Sequence, residues 1–161
     1  MSRPTVLLVE DDRFSRTTTA QLLTEAGFEV RVAAGAEDLE RKVRSAPDFL
    51  RGLSLLILDI ELYESLGRSR EDKSGTHTGM AMTGSQLGVS LGLAFPELRT
   101  VPFLLYSARD PRSVQESLEE LKSLAEAEEL IRRNFRGFVA KDERFPQQLL
   151  EKVRAILACV G

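Results

Sequence analysis

Three short apolar runs in this chain each end in a charged residue. VLLVEDD places Glu10, Asp11 and Asp12 after residues 6 to 9, LLILD places Asp59 after residues 55 to 58, and GFVAK places Lys141 after residues 138 to 140. Apolar runs of this length without polar alternation predict parallel strands buried on both faces. In an open α/β sheet, ligands bind in the crevice beyond the carboxyl ends of the strands, so these charges are expected to converge on one pocket. That pocket would hold acids and one lysine.

The rest of the chain supplies the helices that such a sheet needs. Arg13 to Ala26 carries Phe14, Leu22 and Leu23 at helical spacing, with Asp12 as N-cap and Gly27 as a stop. FEVRV at 28 to 32 alternates as a strand with a more exposed face. Glu37 to Ala46 then aligns Leu39, Val43 and Ala46 ahead of Pro47. After LLIL come a glycine-rich helix near 85 to 95 that ends at Pro96, the strand FLLY at 103 to 106, and a charged helical stretch within 112 to 133. Val114, Leu118, Leu121 and Ala125 form the stripe of that stretch, and EAEE interrupts it, predicting a bend or two shorter helices. Pro146 is placed at N1 of a closing helix bearing Leu149, Leu150, Val153, Ile156, Leu157 and Val160. Five strands alternating with about five helices predict right-handed crossovers and a doubly wound α/β sheet with helices on both faces.

Size and composition narrow the function. A chain of 161 residues fits one domain, 42% hydrophobic and 29% charged residues suit a globular protein, and no apolar stretch approaches a membrane span. The start MSRPTVLLVE shows no secretory signal, and the single Cys159 rules out an internal disulfide, so a reducing cytoplasm is expected. A net charge of −3 argues against a nucleic-acid binder, which needs a concentrated basic surface.

Crowding Glu10, Asp11 and Asp59 demands compensation, because two unit charges ~4 Å apart repel by roughly 4 kcal/mol at an effective dielectric near 20. One answer is a protonated carboxylate with a raised pKa. The other is a hard divalent cation such as Mg²⁺, bound by carboxylates, waters and a phosphate oxygen. Lys141 favours the second, since beside a metal it can hold a phosphoryl oxygen, and Ser107 could add a hydroxyl contact.

These residues, in this order, resemble the receiver domain of two-component response regulators over nearly the whole chain. The resemblance implies a flavodoxin-like five-stranded parallel sheet of order 2-1-3-4-5. It assigns Mg²⁺ to Glu10, Asp11, Asp59 and the backbone carbonyl of Glu61, and the phosphoacceptor role to Asp59. Lys141 and Ser107 match the conserved contacts to the phosphoryl group, while Ser107 and Phe138 match the switch pair. The implied function is phosphoryl transfer onto Asp59 from a phosphohistidine or small acyl phosphate, followed by a population shift read on the fourth and fifth helices. The implied partners are a histidine kinase or histidine phosphotransfer protein and a downstream protein, with a homodimer left open and neither nucleic acid nor membrane called for. This would be a self-phosphorylating signalling domain rather than a turnover enzyme.

The chain departs from the family pattern in three places. The polar segment 63–83, between Asp59 and the MTGSQL return at 82 to 87, reads as a long inserted loop; the 109–136 region is an extended helix-4 region; and Lys141 precedes Asp142 where many receivers have proline. The whole of 1–161 is nonetheless expected to form a single receiver domain, ending at Gly161 without an output domain. The rival readings are a receiver-like interaction module acting independently of phosphorylation, and a Mg²⁺-dependent phosphatase, for which Asp59 to Glu61 offers a superficial match. Of the remaining residues, Asp12 is read as a cap, His77 and Arg68, Arg70 and Lys73 as solvated loop, Met80 and Met82 as loop packing, and Cys159 as a small apolar residue of the last helix. Phe138 fits plain core as well as it fits a switch.

Overall fold

A computed structural model describes residues 3–59, 95–107, 112, 125–141 and 144–158. Several sequence expectations lie outside the described residues: Glu61, the 63–83 loop with His77, nearly all of the helix near 85 to 95, most of 109–124, Asp142 and Cys159. The side chain of Ser107 does too.

The described elements are β1 (Thr5–Val9), α1 (Arg13–Glu25), β2 (Glu29–Ala33), α2 (Ala36–Ser45), β3 (Leu53–Asp59), β4 (Phe103–Ser107), α3 (Ala125–Asn134), β5 (Phe135–Ala140) and α4 (Phe145–Ala158). Short 3₁₀ turns at Pro47–Leu50 and Pro96–Leu98 lead toward β3 and β4. The five strands form one parallel sheet in the order β2-β1-β3-β4-β5. This is the doubly wound arrangement expected.

Strand periodicity explains the two cores. Val6, Leu8, Leu55, Ile57, Leu104, Tyr106 and Val139 face α1 and α4, where Leu23, Leu149, Val153 and Ile156 meet them. Their neighbours Leu7, Val9, Leu56, Leu58, Phe103 and Leu105 face the other way, toward Leu39 of α2 and Ile131 of α3. Alternate residues of one strand thus fill opposite layers, which is why the runs contain no polar positions.

Several boundaries differ from expectation for local reasons. Phe14 does not join the buried stripe of α1 and is 78% exposed; at roughly 3.6 residues per turn it falls on the side of the helix opposite Leu23. Gly27, at φ 101°, does end that segment, in a conformation that favours glycine. β2 runs one residue later than predicted, and Ala46 lies beyond α2 and is exposed. EAEE lies within α3, with Glu128 and Glu129 exposed and Ile131 and Asn134 buried, and the expected bend or pair of shorter helices falls on residues that reach outside the described ones. Glu128 and Glu129 lie on the solvent side of an amphipathic helix. The 109–136 helical region ends at Asn134, because Phe135 and Arg136 already belong to β5, which starts three residues before the predicted 138. In α4 Pro146 is the second residue, one later than predicted.

Candidate metal and phosphoryl site

The site lies at the carboxyl ends of β1, β3 and β5. Glu10 directly follows β1, Asp59 closes β3, and Lys141 directly follows β5. Strand alternation carries Glu10, Asp59, Tyr106 and Lys141 to the sheet face that is lined further down by Leu8, Ile57, Leu104 and Val139. The register pairs Asp59 with Tyr106 across β3 and β4. The apolar rows below fix where the charged row above must stand.

Glu10 and Asp59 are each 1% exposed. Ligand oxygens of Glu10, Asp11 and Asp59 all lie within 4.8 Å of one another. Lys141 Nζ donates to Asp59 Oδ2 at 3.3 Å and stands 3.8 Å from Glu10 Oε1. The Tyr106 hydroxyl donates to Glu10 Oε2 at 2.8 Å. Its ring stacks on Phe145 at 5.6 Å and faces Lys141 Nζ at 4.6 Å. The backbone is held as well: Arg16 Nη1 donates to the carbonyls of Glu10 at 2.9 Å and Asp11 at 3.3 Å, and the Glu10 amide donates to the Ala33 carbonyl.

Burial, together with a shared hydrogen bond and the charge of Asp59, pushes the Glu10 carboxyl up to about 9; Lys141 and the Tyr106 hydroxyl pull the other way. Tyr106 itself is raised further by burial and the adjacent carboxylates, and it stays a hydrogen-bond donor. Asp12 behaves differently. Its carboxylate accepts the Ser15 amide at 2.8 Å, and that bond holds its pKa below the usual range. Asp12 is the helix cap, as the sequence indicated.

The structure therefore brings Glu10, Asp11, Asp59 and Lys141 together. It places Ser107 at the end of β4 paired with Ala140, beside Lys141 in the chain, and sets Phe138 half-buried against the α2–α3 core. Tyr106 was not singled out from the sequence. The signal was its place directly before Ser107 at the end of a buried run, where a hydroxyl needs a partner.

The donor set suits a hard divalent cation. Three carboxylates converge, two of them are buried, and burial and the neighbouring Asp59 drive Glu10 toward its protonated form; oxygen donors of this kind could hold Mg²⁺.

No family model matches the chain, and no curated protein matches it by sequence. Solved structures do match its fold. A putative response regulator from Chloroflexus aurantiacus superposes with a TM-score of 0.61 at 24% identity, covering 98% of this chain and 99% of that one. The chemotaxis protein CheY4 of Vibrio cholerae gives 0.60 at 19% identity, covering 96% and 99%. A response regulator from Thermotoga maritima gives 0.60 at 16%, covering 98% and 99%. The order of the strands, the crossovers and these superpositions together give the chain the fold of the CheY-like response regulator receiver domains.

Proposed function

We propose that the chain is a phosphoacceptor receiver module in which Asp59 takes a phosphoryl group in a Mg²⁺-dependent reaction and signals to a partner protein. The observation that carries this reading is the contact of Lys141 Nζ with Asp59 inside the three-carboxylate cluster. A lone buried acid pair would call only for a proton. A lysine reaching over the same pair provides a cation for the oxygens of an incoming phosphoryl group.

In this reading a carboxylate oxygen of Asp59 attacks phosphorus, forming an O–P bond as the bond to the donor's imidazole nitrogen or acyl oxygen breaks with its electron pair. Mg²⁺ held there would supply positive charge to offset that of the transferring group. Glu10, Asp11 and Asp59, with the Glu61 carbonyl, would hold the ion. Lys141 and the Ser107 hydroxyl would hold phosphoryl oxygens, and Ser107 and Phe138 would relay the change to the surface. The donor would be a histidine kinase or a histidine phosphotransfer protein. As a stoichiometric phosphoacceptor it would not be a turnover enzyme, and its place would be the cytoplasm.

The test is intact-protein mass spectrometry after incubation with acetyl phosphate and Mg²⁺. The expected result is a gain of one phosphoryl group in the wild type and none in Asp59→Asn. An unchanged wild-type mass, or equal labelling of Asp59→Asn, overturns the proposal.

A further inference from the structure

Tyr106 makes two contacts with the charged cluster that the proposed reaction does not require. It is fully buried, its hydroxyl is 2.8 Å from Glu10 Oε2, and its ring lies 4.6 Å from Lys141 Nζ. The side chain cannot easily turn away: it stacks on Phe145, is paired across β4 and β5 with Val139, and lies fully buried among the side chains facing α1 and α4. One oxygen of Glu10 is therefore tied from below by a rigid phenol. The other, Oε1, faces Lys141 at 3.8 Å.

Resting on the reading of this cluster as a Mg²⁺ site, we propose that Tyr106 is a positioning residue that reserves Glu10 Oε2, limits Glu10 to one oxygen toward the cation, and so selects Mg²⁺ over Ca²⁺. The chemistry follows from the two ions. Ca²⁺ takes six to eight oxygens and readily accepts a carboxylate through both, whereas Mg²⁺ holds to a small octahedron and gains nothing from a second oxygen of the same group. A hydrogen bond that occupies Oε2 leaves the octahedral ion its donor and denies the larger ion its chelate. Such outer partners of metal ligands also orient the ligand, and their loss commonly costs on the order of tenfold or more in affinity.

The experiment compares wild type, Tyr106→Phe, Glu10→Gln and the double variant by calorimetric titration with MgCl₂ and with CaCl₂. Tyr106→Phe keeps the ring and its stack and removes only the hydroxyl. It is expected to weaken Mg²⁺ binding about tenfold while Ca²⁺ binding weakens less or strengthens, so the Ca²⁺/Mg²⁺ affinity ratio rises several-fold. In the Glu10→Gln background the same change is expected to leave the ratio fixed, because an amide has one ligating oxygen with or without Tyr106. An unchanged ratio in Tyr106→Phe, or an equal shift in the Glu10→Gln background, overturns the inference.

A second measurement uses the unaltered protein. The Tyr106 hydroxyl proton, followed by NMR, is expected to stay slow to exchange after Mg²⁺ is added, and its release to solvent would equally overturn the inference. Wild-type protein that takes up no Mg²⁺ overturns the site reading together with the inference. Mg²⁺ uptake with no effect of Tyr106 overturns the inference alone.

Discussion

Magnesium uptake at this site is expected to expel a proton, and the structure sets the size of the effect. Glu10 is held up to about 9 by burial and by Asp59. At about pH 7, a carboxyl with that pKa is ionised in roughly one molecule in a hundred. A cation that needs the ionised form must displace the proton, which weakens apparent affinity by about 2.7 kcal/mol relative to a pH above the pKa. Between about pH 6 and about pH 8 the Mg²⁺ association constant should therefore rise close to tenfold per pH unit. The assay is calorimetry at fixed pH in two buffers of different ionisation enthalpy, Tris and PIPES. The difference in observed heat gives the protons released, expected near one per ion. Equal heats in the two buffers and an affinity flat across this range would refute the argument, since they would mean that Glu10 is already ionised or does not contribute to binding.

The same group governs metal-free stability. The unfolded chain titrates Glu10 near 4.5 and the folded chain near 9, so the folded state holds more protons in between; stability from this group is complete below 4.5 and is lost as pH rises toward 9. Urea denaturation with EDTA should show that decline, and saturating Mg²⁺ should flatten it. Lys141→Met should slow labelling by acetyl phosphate at least tenfold yet tighten Mg²⁺ binding, because removing Nζ takes a positive charge away from the cation's neighbourhood; weaker binding in calorimetry would contradict this. Leu8→Ala, at a fully buried position under the site, should cost about 2–5 kcal/mol in urea denaturation. Gly137→Ala should also destabilise, by roughly 1 kcal/mol or more in the same assay, since Gly137 has φ 118° and an added Cβ would meet Lys152.

What could be read in advance was governed by burial on both sheet faces. VLLV and LLIL are uninterrupted because every residue meets one of the two helical layers, so the ends of those runs locate Glu10 and Asp59 without any knowledge of contacts. β5 is harder to see. Arg136 is exposed and Gly137 interrupts the apolar pattern, so only residues 138 to 140 register as a strand although pairing with β4 begins at Phe135. The helical side of that junction was obscured for the opposite reason: EAEE breaks an apolar stripe on paper, but in the helix Glu128 and Glu129 are exposed while Ile131 and Asn134 are buried. Tyr106 escaped notice because in FLLY its ring counts as one more apolar residue. Its hydroxyl acquires meaning only through the register that sets β4 beside Asp59 and brings Glu10 within reach.

The cluster also raises a question of energy balance that bears on how the site works. A buried carboxylate pair is costly, and a single lysine cannot neutralise three acids. The metal-free molecule resolves this by keeping a proton on Glu10, favoured by burial and by the hydrogen bond that Glu10 shares with Asp59. A divalent ion held by Glu10, Asp11 and Asp59 would resolve it by replacing that proton with two positive charges. Lys141, which now lies 3.3 Å from Asp59, would then no longer serve as its main counter-charge and would become available to incoming oxygens. Under the proposed function the proton, the lysine and the metal would compete for one negative pocket, and the order in which they yield would decide when Asp59 could accept a phosphoryl group. Tyr106 bears on that order, because it stabilises ionised Glu10 from beneath the sheet's edge while leaving the lysine's charge where a phosphoryl group would meet it.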